Sequence, residues 1–458
     1  MTVLAHGVGT RTDLPIPAWL ALYGSALVVL VSFLAVLLLW KTPRLAAARN
    51  GWVLPRPAQA LLDAPALRVA AQALTLAVAA LVVAVALFGP RQSNLNLAPY
   101  ALYVTFWVGL VPASLLLGPV WRALNPLRLL HRGLTRLVGR TDPGRTDPGR
   151  TDPGRIDPAA PLTPSERQLR AIGYWPAAAG LTVFVWLELV YPERAEPPVV
   201  AVFLLGYALV QLAGALRYGH GWFDRADAFE VYSSLLASLS PLGRRADGRL
   251  ALRNPLSGAA TLPGAPGLVA VVIVLLGSTA FDGLSRTTFW LSGPGEANDT
   301  LSGTFGLAVM IALVGVLYVL GTVLTGRLSG RPPAAQPGVY AHSVIPIAAG
   351  YAIAHYFSLL LLDGQTTWIL ASNPFGRDGV DVFGTYGRAI DYTVISTATI
   401  ALVQVGAVVL GHVLGVLLAH DRALQPDGTR QAHASDQAPL VAVMVGFTVG
   451  GLGLLLSA

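Results

Sequence analysis

Apolar residues fall in ten stretches along the chain, at Ala18–Trp40, Arg68–Phe88, Ala98–Leu117, Tyr174–Val190, Val199–Leu216, Gly267–Leu284, Thr304–Thr325, His342–Leu362, Thr393–Ala419 and Pro439–Ser457. A helix needs roughly 20 apolar residues to cross a bilayer core, and most of the stretches reach that length. In hydrocarbon every backbone amide needs an internal partner, and continuous apolar runs of this length fit helices rather than barrel strands. The pattern therefore predicts an all-α fold: a polytopic transmembrane helix bundle of about ten spans, forming one integral membrane domain over residues 1–458.

The polar segments between the spans alternate in charge. Lys41, Arg44, Arg49 and Arg56 follow the first stretch, and Arg122, Arg128, Arg132, Arg136 and Arg140 follow the third. Arg225, Arg244, Arg245, Arg249 and Arg253 follow the fifth, while Arg327 and Arg331 follow the seventh. The intervening loops carry only Arg91, Arg194 and Arg286 between the early spans. Positive loops stay on the cytoplasmic side, which predicts both termini outside and a multi-pass protein of the inner (cytoplasmic) membrane. The segment before the first span is polar and punctuated by proline (Asp13-Leu14-Pro15-Ile16-Pro17) and lacks the form of a cleavable signal. Either the first span serves as its own signal or the true start lies upstream.

Composition agrees with this reading. Of 458 residues 54% are hydrophobic and 12% charged, against about 25% charged in soluble domains. The net charge of +7 sits in alternate loops, so it reads as a topology signal and not as a nucleic-acid surface; the expected partners are the lipid bilayer and, in one reading, another membrane subunit. The absence of cysteine excludes disulfides, thiolate metal sites and a cysteine nucleophile. Residues 141–158 hold TDPGR three times over, followed by Ile156-Asp157-Pro158. Tandem Pro-Gly turns propagate neither helix nor strand, so this is expected to be a flexible cytoplasmic linker. Just before it, Asn125–Val138 sets Leu127, Leu130, Leu134 and Leu137 opposite Arg128, Arg132 and Arg136, the pattern of an amphipathic helix in the inner interface.

Ionisable groups inside apolar spans are costly and face protein or a polar cavity. Depth along the predicted spans sorts them into two sets. His6, Glu188, Asp282, His355 and Asp363 belong to the outer half, with Asp282 and Glu188 the candidate catalytic carboxylates. A neutral imidazole with carboxylates suits zinc or a similar divalent metal, for which His6, His355 and Asp363 are the candidate ligands. The inner set is His220, Asp224, Asp227, Glu230, His342, His412, His420 and Asp421. A helix beginning near Gly221 would align His220, Asp224, Asp227 and Glu230 on one stripe, either a cation or proton site or simply the wet side of an interfacial helix. Residues eight apart on a helix are about 12 Å apart, so neither His355/Asp363 nor His412/His420 closes on one ion alone. There is no Walker loop, G-x-S-x-G elbow, H-E-x-x-H helix or dinucleotide fingerprint.

Several phrases carry a resemblance: Gly173-Tyr174-Trp175-Pro176, Trp186-Leu187-Glu188-Leu189, Phe281-Asp282-Gly283, Ala354-His355-Tyr356, Asn373-Pro374-Phe375-Gly376 and Ala419-His420-Asp421. Together they resemble a group of bacterial polytopic membrane proteins of which some are labelled fenitrothion hydrolase. The chain departs from that group at Asp378-Gly379-Val380-Asp381, where its members carry Gly-Trp-Asp. The resemblance implies hydrolysis of an organophosphate triester, with water activated by the Asp and His groups through a metal. The competing class is an ion- or proton-coupled transporter, and a third is a non-catalytic membrane subunit.

Overall fold

A computed structural model describes residues 17–45, 51–137, 139, 164–245, 247–296, 299–425 and 434–457. The principal helices are α1 (Ala18–Leu39), α2 (Arg56–Asp63), α3 (Pro65–Phe88), α4 (Leu97–Leu117), α5 (Pro126–Leu137), α6 (Pro164–Ile172), α7 (Trp175–Leu189), α8 (Pro197–Tyr218), α9 (Ala228–Ala237), α10 (Leu268–Leu284), α11 (Thr300–Ser329), α12 (Gln336–Ala371), α13 (Thr397–Ala423) and α14 (Ala434–Ser457). Among the described residues eight helices are long and apolar enough to cross a membrane, or nine if the bent pair α6–α7 is one span. The chain is thus an all-helical bundle with the make-up of a multi-pass membrane protein.

Local chemistry sets the helix ends. Pro65 and Pro197 open α3 and α8, where a missing N–H costs nothing. Asp299 and Ser396 cap α11 and α13 by accepting from the amides of Ser302 and Thr399. The 49° bend between α6 and α7 falls at Gly173, whose φ is 58°. A side chain there would meet the Pro266 carbonyl, to which the next residue, Tyr174, donates its amide at 2.8 Å. Inside α4, Tyr100–Val108 is wound as a π-helix, a form that often marks functional sites.

The centre of the bundle is α12, the most buried of the long helices. It packs along α13 at backbone contact: a Cβ on Gly411 would lie 2.6 Å from the Pro346 carbonyl, and one on Gly350 would lie 2.4 Å from that of Ala407. Small residues at such a crossing permit close van der Waals packing between helices. The outer helices instead leave Leu27, Val31, Leu38, Leu74, Val202 and Leu209 exposed, as helices facing lipid do.

The segments predicted to share one side do meet. Strand β1 (Trp52–Val53), after α1, and β2 (Leu242–Arg244) both pair antiparallel with β3 (Leu250–Leu252). At the same end Asp421 accepts from Trp40 Nε1 and from the amides of Arg44 and Leu45, and Arg331 donates to the carbonyls of Ala423 and Gln425.

Candidate functional site: a buried carboxylate–imidazole pair beside an apolar cavity

Asp282 lies near the end of α10 and His355 in the middle of α12, both buried. The His355 ring meets Asp282 through Nε2 and Oδ2. Arg286, four residues on, holds the other carboxylate oxygen at 2.7 Å. His355 Nε2 and Asp282 Oδ2 stand in charge-pair contact, but among the described residues neither completes a hydrogen bond. Glu188, at the end of α7, is within electrostatic reach of Asp282 and accepts from the Tyr356 hydroxyl at 3.3 Å. Tyr356 in turn stacks edge-on against His355, with ring centroids 5.0 Å apart. The structure therefore brings Glu188, Asp282 and His355 into one neighbourhood.

His355 also lines a cavity of about 410 Å³ between α10, α11, α12 and α14. Leu276, Met310, Leu317, Ala354, Val443 and Leu454 supply much of its wall, which is almost wholly apolar. This size and character match ligand pockets in general. A general base placed at the wall of an apolar space can take a proton from a molecule held there.

The other outer candidates do not join the pair. Asp363 lies eight residues beyond His355 on α12, about 12 Å along the axis, near Tyr100 on α4. His6 lies outside the described residues, as does the TDPGR linker. Among the described residues no three His, Asp or Glu side chains converge on a point that would hold a metal ion, and both Asp282 oxygens already face His355 and Arg286. Asp282, His355 and Asp363 by themselves therefore do not form a metal centre.

The inner candidates do not form one cluster. His220, Asp224, Asp227 and Glu230 do not share a continuous helix: a 3₁₀ turn covers His220–Trp222, a short helix Phe223–Ala226, and Asp227 caps α9 by accepting from Phe229 N and Glu230 N. What gathers them is Arg128, expected on the wet face of α5 but only 4% exposed. Its guanidinium donates to Glu230 through Nε (2.9 Å) and Nη2, to Asp224 Oδ1 (2.7 Å) and to His220 Nε2 (2.7 Å). Asn125 bridges Asp227 and Glu230, and Tyr207 donates to Asp227. Burial and the adjacent Arg128 charge depress the His220 pKa to about 3, keeping the ring neutral as an acceptor from arginine must be. Burial works against ionising Asp224, but Arg128 and Arg122 outweigh it and hold its carboxyl below the usual range.

His412 and His342 each turn Nδ1 to a backbone carbonyl of their own helix, Val408 at 2.9 Å and Val339 at 3.0 Å. His420 joins Gln437 and the Trp40 carbonyl, and Asp421 fastens the end of α1. His420 and Asp421 thus tie helices together, whereas His342 and His412 are satisfied within their own helices. The groups that sequence reading overlooked are Arg128, Arg286, Tyr356 and Trp107. Only Arg286 had a legible signal, its i,i+4 spacing from Asp282. No protein-family model, curated protein or solved structure matches the chain.

Proposed function

We propose that the chain is a membrane-embedded hydrolase acting on a neutral, lipid-soluble ester, with the 410 Å³ cavity as substrate site and His355 as general base. The observation that carries this reading is the Asp282–His355 pair standing at the wall of that cavity. In the reaction, a water oxygen bonds to the electrophilic phosphorus or carbon while His355 takes its proton. The bond to the leaving alkoxide or aryloxide breaks, and that group is protonated by the imidazolium or by solvent. Asp282 positions the ring and stabilises the imidazolium, as acids do in such pairs; Arg286 holds Asp282. The resemblance to the fenitrothion hydrolase group narrows the ester to an organophosphate triester.

The topology belongs to the same proposal: ten spans in the inner membrane, with both termini outside. The eight long helices, the α6–α7 pair and the 17-residue α10 correspond one to one with the ten apolar stretches. At 1.5 Å per residue α10 is about 26 Å long, close to the hydrocarbon thickness.

The test is turnover of a nitrophenyl phosphotriester by the purified protein in lipid nanodiscs, with and without Gly446→Leu. Gly446 lines the cavity, and a Cβ built there meets nothing within 4 Å, so leucine fills the space without a clash. Turnover that Gly446→Leu suppresses supports the reading. Absence of turnover, or turnover indifferent to that substitution, rejects it.

A further inference from the structure

Beside Glu188, and distinct from the large cavity, lies a second one of about 20 Å³, lined by Trp107, Glu188, Tyr232, Ser278, Ala352 and Tyr356, among others. A cavity holds a water when it offers at least about 10–15 Å³ and two to four polar partners. This one meets both conditions. Among the described residues Glu188 Oε2 and Trp107 Nε1 have no hydrogen-bonding partner, although both are shut away from solvent. One is an acceptor and the other a donor. The Tyr356 hydroxyl is near enough to the Trp107 indole to interact with it, yet it completes no hydrogen bond there and gives its proton to Glu188 Oε1.

We infer that this cavity is a binding site for one internal water, which accepts from Trp107 Nε1, donates to Glu188 Oε2, and has the Tyr356 oxygen as its third partner. The geometry explains two features otherwise costly in a bilayer. A buried carboxylate oxygen and an indole N–H left unpaired each forfeit the free energy of a hydrogen bond; a bridging water satisfies both at once. The π-helical turn Tyr100–Val108 carries Trp107, so the wide winding of α4 places the donor.

The site also sits where a hydrolytic water would be drawn from, because Thr279 lines both cavities. Its use as reactant rests on the proposed hydrolysis. Its binding does not, and the experiment reads binding alone. Hydroxyl radicals generated by X-ray pulses from bound water oxidise the side chains beside it, and mixing into H₂¹⁸O just before exposure shows how fast that water exchanges. The wild-type protein in nanodiscs should show oxidation of Trp107, Tyr232 and Tyr356, with ¹⁸O entering more slowly there than at the exposed Tyr386. Tyr318, equally buried but away from the cavity, is the control and should stay unmodified. Ala352→Leu or Ala348→Leu, which fill the cavity, should abolish labelling of Tyr232 and Tyr356. Labelling of those residues no greater than that of Tyr318 in the wild type overturns the inference whether or not the filled variants fold. Labelling that persists in a folded filled variant overturns it too.

Discussion

Replacing Arg128 with methionine should destabilise the protein more than any other single arginine change at this end of the bundle. The reason lies in what the guanidinium leaves behind. Glu230 is wholly buried and meets Arg128 through both its oxygens; Asp227, also wholly buried, is linked to Glu230 through Asn125. Removing the cation strands at least one buried carboxylate, and breaking such a pair costs about 3–5 kcal/mol. Arg122 reaches the same Asp224 at 3.0 Å, but both side chains are over a third exposed, so Arg122→Ala should cost no more than about 1 kcal/mol. Removing both charges, in Arg128→Met/Glu230→Gln, should recover about half or more of the single loss, since a buried pair replaced as a unit is often neutral. Equilibrium unfolding in SDS mixed micelles, followed by tryptophan fluorescence, measures all three. If Arg128→Met is no less stable than Arg122→Ala, the buried network is not the structural hub described here.

Gly411→Val should prevent α12 and α13 from closing, because its Cβ already falls within 2.6 Å of the Pro346 carbonyl; folded yield by size-exclusion chromatography should collapse, whereas Gly406→Val, with open space around its Cβ, should be tolerated. Stability should fall on acidification through the His220 window. The folded pKa is about 3 and the unfolded one about 6.5, so the unfolded chain binds the proton first. The contribution is complete above about pH 6.5 and is lost as pH drops toward 3. His220→Asn should therefore flatten the pH 7 to 4 part of the profile, with the Asp224 contribution lost only below that carboxyl's ordinary pKa. Reporter fusions at Pro148 and Phe383 should report opposite sides of the membrane; the same side for both would refute the topology.

The helical bundle was legible because apolar runs of this length have few other solutions in lipid, and the predicted spans match the helices to within a few residues at most ends. Glu188, Asp282 and His355, placed at one depth by their positions along the spans, do lie near one another, since along a span position in sequence is position along the helix axis. Rotation about the helix axis is not readable that way. Hence Arg128, on a stripe that looked solvated, turned inward to Glu230, and the eight inner residues that looked like one cluster did not gather at one point. The helix expected from Gly221 onward failed for a local reason: Asp227 competes for the backbone as an N-cap and starts a new helix there. The π-winding of α4, which presents Trp107 to Glu188, left no trace in residue types.

The central claim is that the buried Asp282–His355 pair does proton-transfer chemistry on a molecule in the apolar cavity. It is tested most directly by the rate constant for phosphotriester hydrolysis in wild type, Asp282→Asn and His355→Gln, each in nanodiscs and each checked for folding. General base catalysis contributes about 10²–10⁴-fold, so His355→Gln should lose at least that lower figure in kcat. Asp282→Asn should also lose kcat, with little change in KM. Equal rate constants for the three proteins would contradict the account.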